Sequence, residues 1–355
     1  MPASSVVKHP RRLLILRFSA LGDVAMTVPV VASLAAQYPQ MQITVASQPF
    51  LAPLFDRIAP NVQFFGADIR KTYRGLRGLW QLSRTAPFQD CDAVADLHDV
   101  LRTKILRCFL RLRGKRLAVI DKHRREKRLL VEHKIFRPLP TSFALYAETL
   151  ARLGLPVKLN FERLKLGGDA LHLPFPFSTD TLHEPWLGLA PFAAHEGKIY
   201  PLEQMAEVVQ LYFESHPHGR LFVFGSRKEM EMLRPTWGKD FERLVFVCDI
   251  LKGLDAELQL MARLNAMVSM DSGNMHLASL VDCPVVSIWG QTHPFAGFMG
   301  YHQAEENVVQ QDLHCRPCSI FGNAPCRYGD FRCLRDILPQ LIIDKVEEII
   351  SPEQD

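Results

Sequence analysis

Short apolar runs alternate with longer helix-period stretches along most of the chain. Strand-like runs fall at Leu13–Phe18, Gln42–Ala46, Val62–Phe65, Ala93–Leu97 and Leu117–Ile120. Helical patterns lie between them, among others at Val30–Tyr38, Leu76–Arg84 and Leu101–Leu112. Apolar runs without a polar alternation suit strands buried on both faces, and their interleaving with helices predicts parallel βαβ units. Residues 167–185 are rich in Gly, Pro, Thr and Asp and have no period, which predicts a linker. The alternation resumes with strands at Trp186–Pro191, Leu221–Phe224, Leu244–Cys248, Ala266–Met270 and Val285–Trp289. Helices are expected there at Leu202–Phe213, Lys228–Trp237, Ala256–Leu264, Met275–Val281 and Ile337–Ile350. The expected fold class is α/β, with two doubly wound, Rossmann-like domains facing a central cleft. The expected divisions are an N-terminal domain over 1–166, the linker 167–185, a C-terminal domain over 186–335 and a last helix within 336–355. Packing of that helix back on the N-terminal domain is one option.

A chain of 355 residues suits two domains of ordinary size, and 48% hydrophobic with 23% charged residues is the composition of a soluble globular protein. Arg11-Arg12 before an apolar run resembles a signal peptide, but Arg17 and Asp23 interrupt that run. No segment has the unbroken apolar length of about 20 residues that a membrane span needs. The expected location is the cytoplasm. Charge is distributed unevenly: residues 1–160 hold 26 Lys and Arg against 11 Asp and Glu, whereas 161–355 hold 16 against 27. Arg102–Arg137 alone contains 14 basic residues against Asp121, Glu126 and Glu132. Such a block is either a solvated helix face or the counterpart of something anionic.

Three turns carry candidate chemistry, each placed where a strand ends and a helix begins, the position of ligand sites in open α/β sheets. Ser19-Ala20-Leu21-Gly22-Asp23 has one glycine, where a dinucleotide fingerprint has three, and ends in a carboxylate. A carboxylate is the wrong group to offer a phosphate, but it can take a proton from an attacking hydroxyl; capping of the following helix is the competing reading. Asp271-Ser272-Gly273-Asn274, before a helix that carries His276, offers close backbone approach, a hydroxyl and free helix-start N–H groups, all suited to a phosphate. The loop with His195, Glu196 and Lys198 precedes Pro201, which is expected to open a helix as its first residue. Lys198 would be a cation facing a diphosphate whose charge grows as a bond breaks.

SALGDVAMTVP, EGKIYP, MDSGNMHLASL with the following PVVSIWGQT, and the cysteine-bearing tail together resemble glycosyltransferase family 9, over nearly the whole chain and in the same order. DLHDVLRTKILRCFLRLRGKR is similar to family members at that place too. The family contains the heptosyltransferases of lipopolysaccharide core synthesis. The resemblance implies a GT-B fold, with the acceptor on the N-terminal domain and the nucleotide sugar on the C-terminal one. It implies inverting, metal-independent transfer of a heptose or related sugar, with ADP-heptose as the donor. By similarity Asp23 would be the base and Lys198 would neutralise the leaving diphosphate. Asp271, Ser272, Gly273 and His276 would hold the donor. The chain departs from the family pattern at Ala193-Ala194-His195, Ile199 and Asn274. A monomer is expected, and a lipopolysaccharide or lipid-linked acceptor implies a place at the inner face of the cytoplasmic membrane, with the basic block against anionic lipid.

Cys315-x2-Cys318-x7-Cys326-x6-Cys333 has the ligand count of a structural zinc site, but reduced packing thiols and a disulfide fit the spacing as well. No cofactor is expected for catalysis. Two other readings compete. A two-domain nucleotide-sugar epimerase of Rossmann type would need a G-x-G-x-x-G turn, and none is present. A nucleic-acid-binding protein with a zinc knob would need aromatics for stacking, and the basic block has only Phe109 and Phe136.

Overall fold

The computed structural model describes residues 9–167, 185–240 and 243–351. The expected linker lies outside the described residues except at its two ends. Among the described residues, eleven parallel strands form two sheets. In the first, β1 (Arg12–Leu16), β2 (Gln42–Ser47), β3 (Val62–Gly66), β4 (Ala93–Asp96) and β5 (Arg116–Val119) take the order β3-β2-β1-β4-β5. In the second, β6 (Trp186–Ala190), β7 (Arg220–Val223), β8 (Leu244–Phe246), β9 (Ala266–Met270), β10 (Val285–Trp289) and β11 (Val308–Gln310) take the order β11-β10-β9-β6-β7-β8. Leu13, Leu14, Ile15 and Leu16 are all buried, as are all five residues of β9 and of β10. Helices on both faces of each sheet account for those unbroken apolar runs.

Both sheets reverse their strand order once, between β1 and β4 and between β6 and β9. The loops leaving the C-terminal ends of those strands are the places where such sheets bind ligands. They carry Arg17–Asp23 and Leu97–Asp99 in the first sheet, and His195–Lys198 and Asp271–Gly273 in the second.

The chain divides into two compact units, Met1–Lys122 with Thr141–Lys165, and His123–Pro140 with Leu166–Asp355. The basic block is therefore divided between the two units. Its second part, with the helix Arg124–Val131, belongs to the second unit: Leu130 and Leu139 pack with Ala296, and Leu139 N–H donates to Phe295 O at 2.9 Å. Apolar residues spaced among the cations decide this, since they need an apolar partner whatever the charge around them. The last helix is Pro339–Ile350. It packs within the second unit, where Ile342, Ile343 and Val346 join the core of Val208, Tyr212 and Met270. His216 Nε2 lies 3.0 Å from Glu347 Oε1 on its polar side.

Candidate functional site

In the first unit the strand β1 runs straight into Arg17, a charged residue that is only 5% exposed. Its guanidinium donates to Leu97 O at 2.5 Å and pairs with Asp23 Oδ2 at 2.5 Å. Asp23 sits in the first turn of a short helix, Leu21–Ala25, with its side chain about a third exposed. The same Oδ2 accepts from Ala20 N–H at 3.2 Å. The capping reading and the presentation of a partly exposed carboxylate are thus both realised. Tyr146 O–H, on the helix Ser142–Ala151, donates to Asp23 O at 3.2 Å and holds the backbone of this turn.

A second turn, Asp96–Asp99, backs the first. Asp96 is fully buried; its Oδ1 accepts from the N–H groups of His98 at 2.9 Å and Asp99 at 3.0 Å, and its Oδ2 pairs with Arg107 at 3.1 Å. Phe18 N–H points at His98 Nδ1 at 3.4 Å, which leaves the imidazole proton on Nε2, 3.4 Å from Ser19 Oγ. Burial, with the cations of Arg17, Lys122 and Arg102 adding to it, pulls the His98 pKa down to about 3.

This has a consequence for stability. An exposed histidine in the unfolded chain titrates near about 6.5. As pH falls below that value the unfolded state takes up a proton that folded His98 refuses until about 3. Its contribution is complete above about pH 6.5 and is lost on acidification through that window. Accordingly, His98→Gln should lose less of its denaturant midpoint than the wild type on going from about pH 7.5 to about pH 5. Equal losses in the two proteins would show that His98 is not the group responsible.

In the second unit the loops after β6 and β9 meet. Lys198 Nζ lies 2.9 Å from Asp271 Oδ2, with side chains 16% and 4% exposed. Pro201 precedes the helix Leu202–Ser215 as its cap, one place earlier than expected. Gly273 opens the helix Gly273–Leu280 and Ser272 is its N-cap residue. Ser272 makes no side-chain cap; its Oγ lies 3.4 Å from Ser269 Oγ. His276, on the first turn of that helix, is buried. The first N–H groups of a helix have no intrahelical partner, so this end can receive an anion. The structure brings Lys198 and Asp271 together and sets Ser272, Gly273 and His276 on the loop and helix that follow Asp271. Asp23 belongs to the other unit.

Sequence reasoning missed what holds Lys198 in place. The turn Gly290–Thr292 after β10 lies against Gly197: Gln291 N–H donates to Gly197 O at 2.9 Å, and a Cβ at Gly197 would collide with Gln291 Oε1. The cysteine-bearing loop covers the lysine from another side. A Cβ at Gly322, whose φ is +73°, would collide with Lys198 Cγ. Arg316 organises both segments from a buried position. It donates to Gly290 O at 2.5 Å, Thr292 O at 2.8 Å and Gln310 Oε1 at 3.0 Å, and also to Gln311 O. The signal for Arg316 was weak, a lone arginine between two cysteines.

All eight cysteines are free thiols. Burial pushes Cys333 up to about 12, with neighbouring Arg316 opposing it, and burial raises Cys318 as well. Among the described residues no three His, Cys, Asp or Glu side chains come together as a group that could hold a metal ion.

The chain is similar to known proteins in sequence and in fold. The family model for glycosyltransferase family 9 (heptosyltransferase) matches residues 83–324, more than half of the chain. The chain is 25% identical over 303 residues to the lipopolysaccharide core heptosyltransferase OpsX of Haemophilus influenzae, covering 80% of each chain. It is 22% identical over 339 residues to lipooligosaccharide heptosyltransferase 2 of Campylobacter jejuni, covering 94% of this chain and 97% of the other. The solved structure of Escherichia coli ADP-heptose lps heptosyltransferase II superposes with a TM-score of 0.68 at 20% identity, over 97% of this chain and 100% of that one. Two parallel-sheet α/β units of this kind are those of the GT-B fold. The family match spans β4 to β11 and both residues of the Lys198–Asp271 pair. The chain is therefore a glycosyltransferase, and it belongs to glycosyltransferase family 9, the heptosyltransferase family.

Proposed function

We propose that this enzyme moves a heptose from ADP-heptose to a lipopolysaccharide core acceptor, with inversion and without a metal ion. The observation that carries the reading is the Lys198–Asp271 pair at the strand-order reversal of the second sheet, beside the helix start at Gly273. A diphosphate suits that place. The ammonium of Lys198 and the helix-start N–H groups meet its charge, and Ser272 and His276 add donors. Asp271 orients Lys198 and is available to a ribose hydroxyl. The relatives named above bear the names of lipopolysaccharide or lipooligosaccharide heptosyltransferases, and the solved relative is named for ADP-heptose.

In the proposed reaction the acceptor hydroxyl gives its proton to the Asp23 carboxylate as its oxygen attacks the anomeric carbon. The new C–O bond forms on the face opposite the diphosphate, the bond to ADP breaks, and the configuration inverts. The bond electrons leave with ADP, where Lys198 opposes the growing charge. In other enzymes a divalent cation meets that charge; here a lysine is placed to do so. The structural zinc weighed for the tail cysteines is not part of the proposal. A monomer in the cytoplasm, peripheral to the inner face of the membrane, completes the reading. No helix among the described residues is long and apolar enough to cross a membrane.

The test is direct. Purified protein with ADP-heptose and a heptose-deficient core acceptor should release ADP and add the mass of one heptose. Activity should persist over minutes in EDTA. Loss of activity in the chelator, restored by magnesium, would replace the lysine account with a metal-dependent one.

A further inference from the structure

Two helices cover one region of the first sheet, Gly75–Leu82 and Leu101–Leu112, and they pack on a shared core. On the second of them Thr103, Leu106 and Leu110 face inward and are buried. At about 100° per residue, Leu101, Cys108 and Leu112 form the opposite row. A soluble helix normally carries polar residues there. Here Leu101 is 73% and Leu112 86% exposed, and Cys108 is exposed too. The neighbouring helix repeats the pattern: Gly78, Leu79 and Leu82 are buried, while Leu76 and Trp80 point outward, 66% and 45% exposed. Arg113, at the end of one helix, donates to Ser83 O at the end of the other, so the two outer rows lie on adjoining helices.

The charge around these apolar rows has one sign. No acidic residue occurs between Asp68 and Asp90, which enclose five cations, or between Asp99 and Asp121, which enclose seven. Arg77, Arg84, Arg102, Lys104 and Arg111 are exposed, and the Arg84 guanidinium lies 4.6 Å above the Trp80 ring. A second copy of this face would bring like charges together. An anionic bilayer surface would instead meet the cations with headgroup phosphates and the leucines and Trp80 with the acyl boundary. The basic helix Arg124–Val131 does not share this make-up. Its apolar Leu130 is buried, and Lys127 lies over the Phe298 ring at 4.2 Å.

We infer that the outer rows of Gly75–Leu82 and Leu101–Leu112, with Trp80 and Leu112 as apolar anchors among arginines, dock the enzyme on anionic lipid headgroups. The inference deepens the lipid-linked acceptor reading proposed above and rests on it. Trp80 also reports on the contact, since Trp237 and Trp289 are buried and Trp186 is half-buried.

The experiment uses the full chain and vesicles of phosphatidylethanolamine with about 30% phosphatidylglycerol. Wild type should sediment with them, and its tryptophan emission should shift to the blue. Trp80→Phe should lose the emission shift. The triple variant Trp80→Ala, Arg111→Glu, Leu112→Gln should bind at least tenfold more weakly, at an unchanged thermal midpoint and with unchanged transfer to a soluble core acceptor. Arg124→Glu with Arg125→Glu should bind within about threefold of wild type, because these two cations belong to the other unit and lie outside the proposed face. Vesicle binding unaltered in the triple variant, or abolished in the Arg124/Arg125 variant, overturns the assignment of this face. Failure of wild type to bind vesicles overturns docking altogether, including the case in which sedimentation velocity finds the face buried between two copies. Transfer to the soluble acceptor is measured separately, so failure of the activity reading shows there and not in the vesicle arm.

Discussion

Asp23→Asn should abolish transfer while leaving donor affinity within a few-fold of wild type. The substitution keeps the shape of the side chain and its hydrogen bond from Ala20 N–H, and removes the group that takes the proton. Loss of a general base costs about 10²–10⁴-fold in rate, and it should appear in kcat, since the proposed donor residues lie in the other unit. Asn also removes the anionic partner of Arg17, whose side chain is 7% exposed. A fall in the thermal midpoint should therefore accompany the loss of activity, and folding has to be checked at the assay temperature. Asp23→Glu should recover part of the rate, because it restores a carboxylate at imperfect reach. Turnover of Asp23→Asn at saturating acceptor within about tenfold of wild type would assign Asp23 to capping and to holding Arg17, with no role as a base.

Lys198→Ala should weaken donor binding and slow turnover together, by about 100-fold in rate, the usual cost of removing one preorganised electrostatic group. The pair with Asp271 sharpens the expectation. Without the ammonium, the Asp271 carboxylate is left buried, 4% exposed, where it repels the incoming diphosphate. Adding Asp271→Asn to Lys198→Ala should then restore part of the donor affinity. A double-mutant cycle by titration calorimetry measures this coupling. Strictly additive effects would show that the two residues act separately. His276→Ala should weaken donor affinity as well. Unchanged affinity in both Lys198→Ala and His276→Ala would move the donor site elsewhere.

Much of the architecture was legible in the pattern of residues. The run Leu13–Leu16 and the wholly buried, largely apolar β9 and β10 have the composition that strands covered on both faces require. The helix Leu101–Leu112 follows from its 3.6-residue period over the same residues. β11 was not legible, because an edge strand of three residues carries too few positions for any period. Arg17 could be read only as an interruption of an apolar run. The reason for its burial is a carbonyl at Leu97 and a carboxylate at Asp23, which the linear pattern does not bring near each other.

Local pattern dictates the fold class and the strand ends that carry Asp23, Lys198, Asp271, Ser272, Gly273 and His276. It does so because periodicity and turn chemistry are local: a few consecutive residues decide whether a segment can be a buried strand, and where it must stop. Which of those strand ends meet is set by the packing of the sheets. Lys198 faces Asp271 because β6 and β9 are neighbours in the sheet, an adjacency set by strand order and absent from either segment alone. The same holds for Arg316, which bonds to the carbonyls of a turn after another strand. It holds too for the basic block, divided between two units by a few buried leucines. Charge and apolar content are read along the chain, but pairing energies depend on distance in space, and that distance is set by the whole packed sheet.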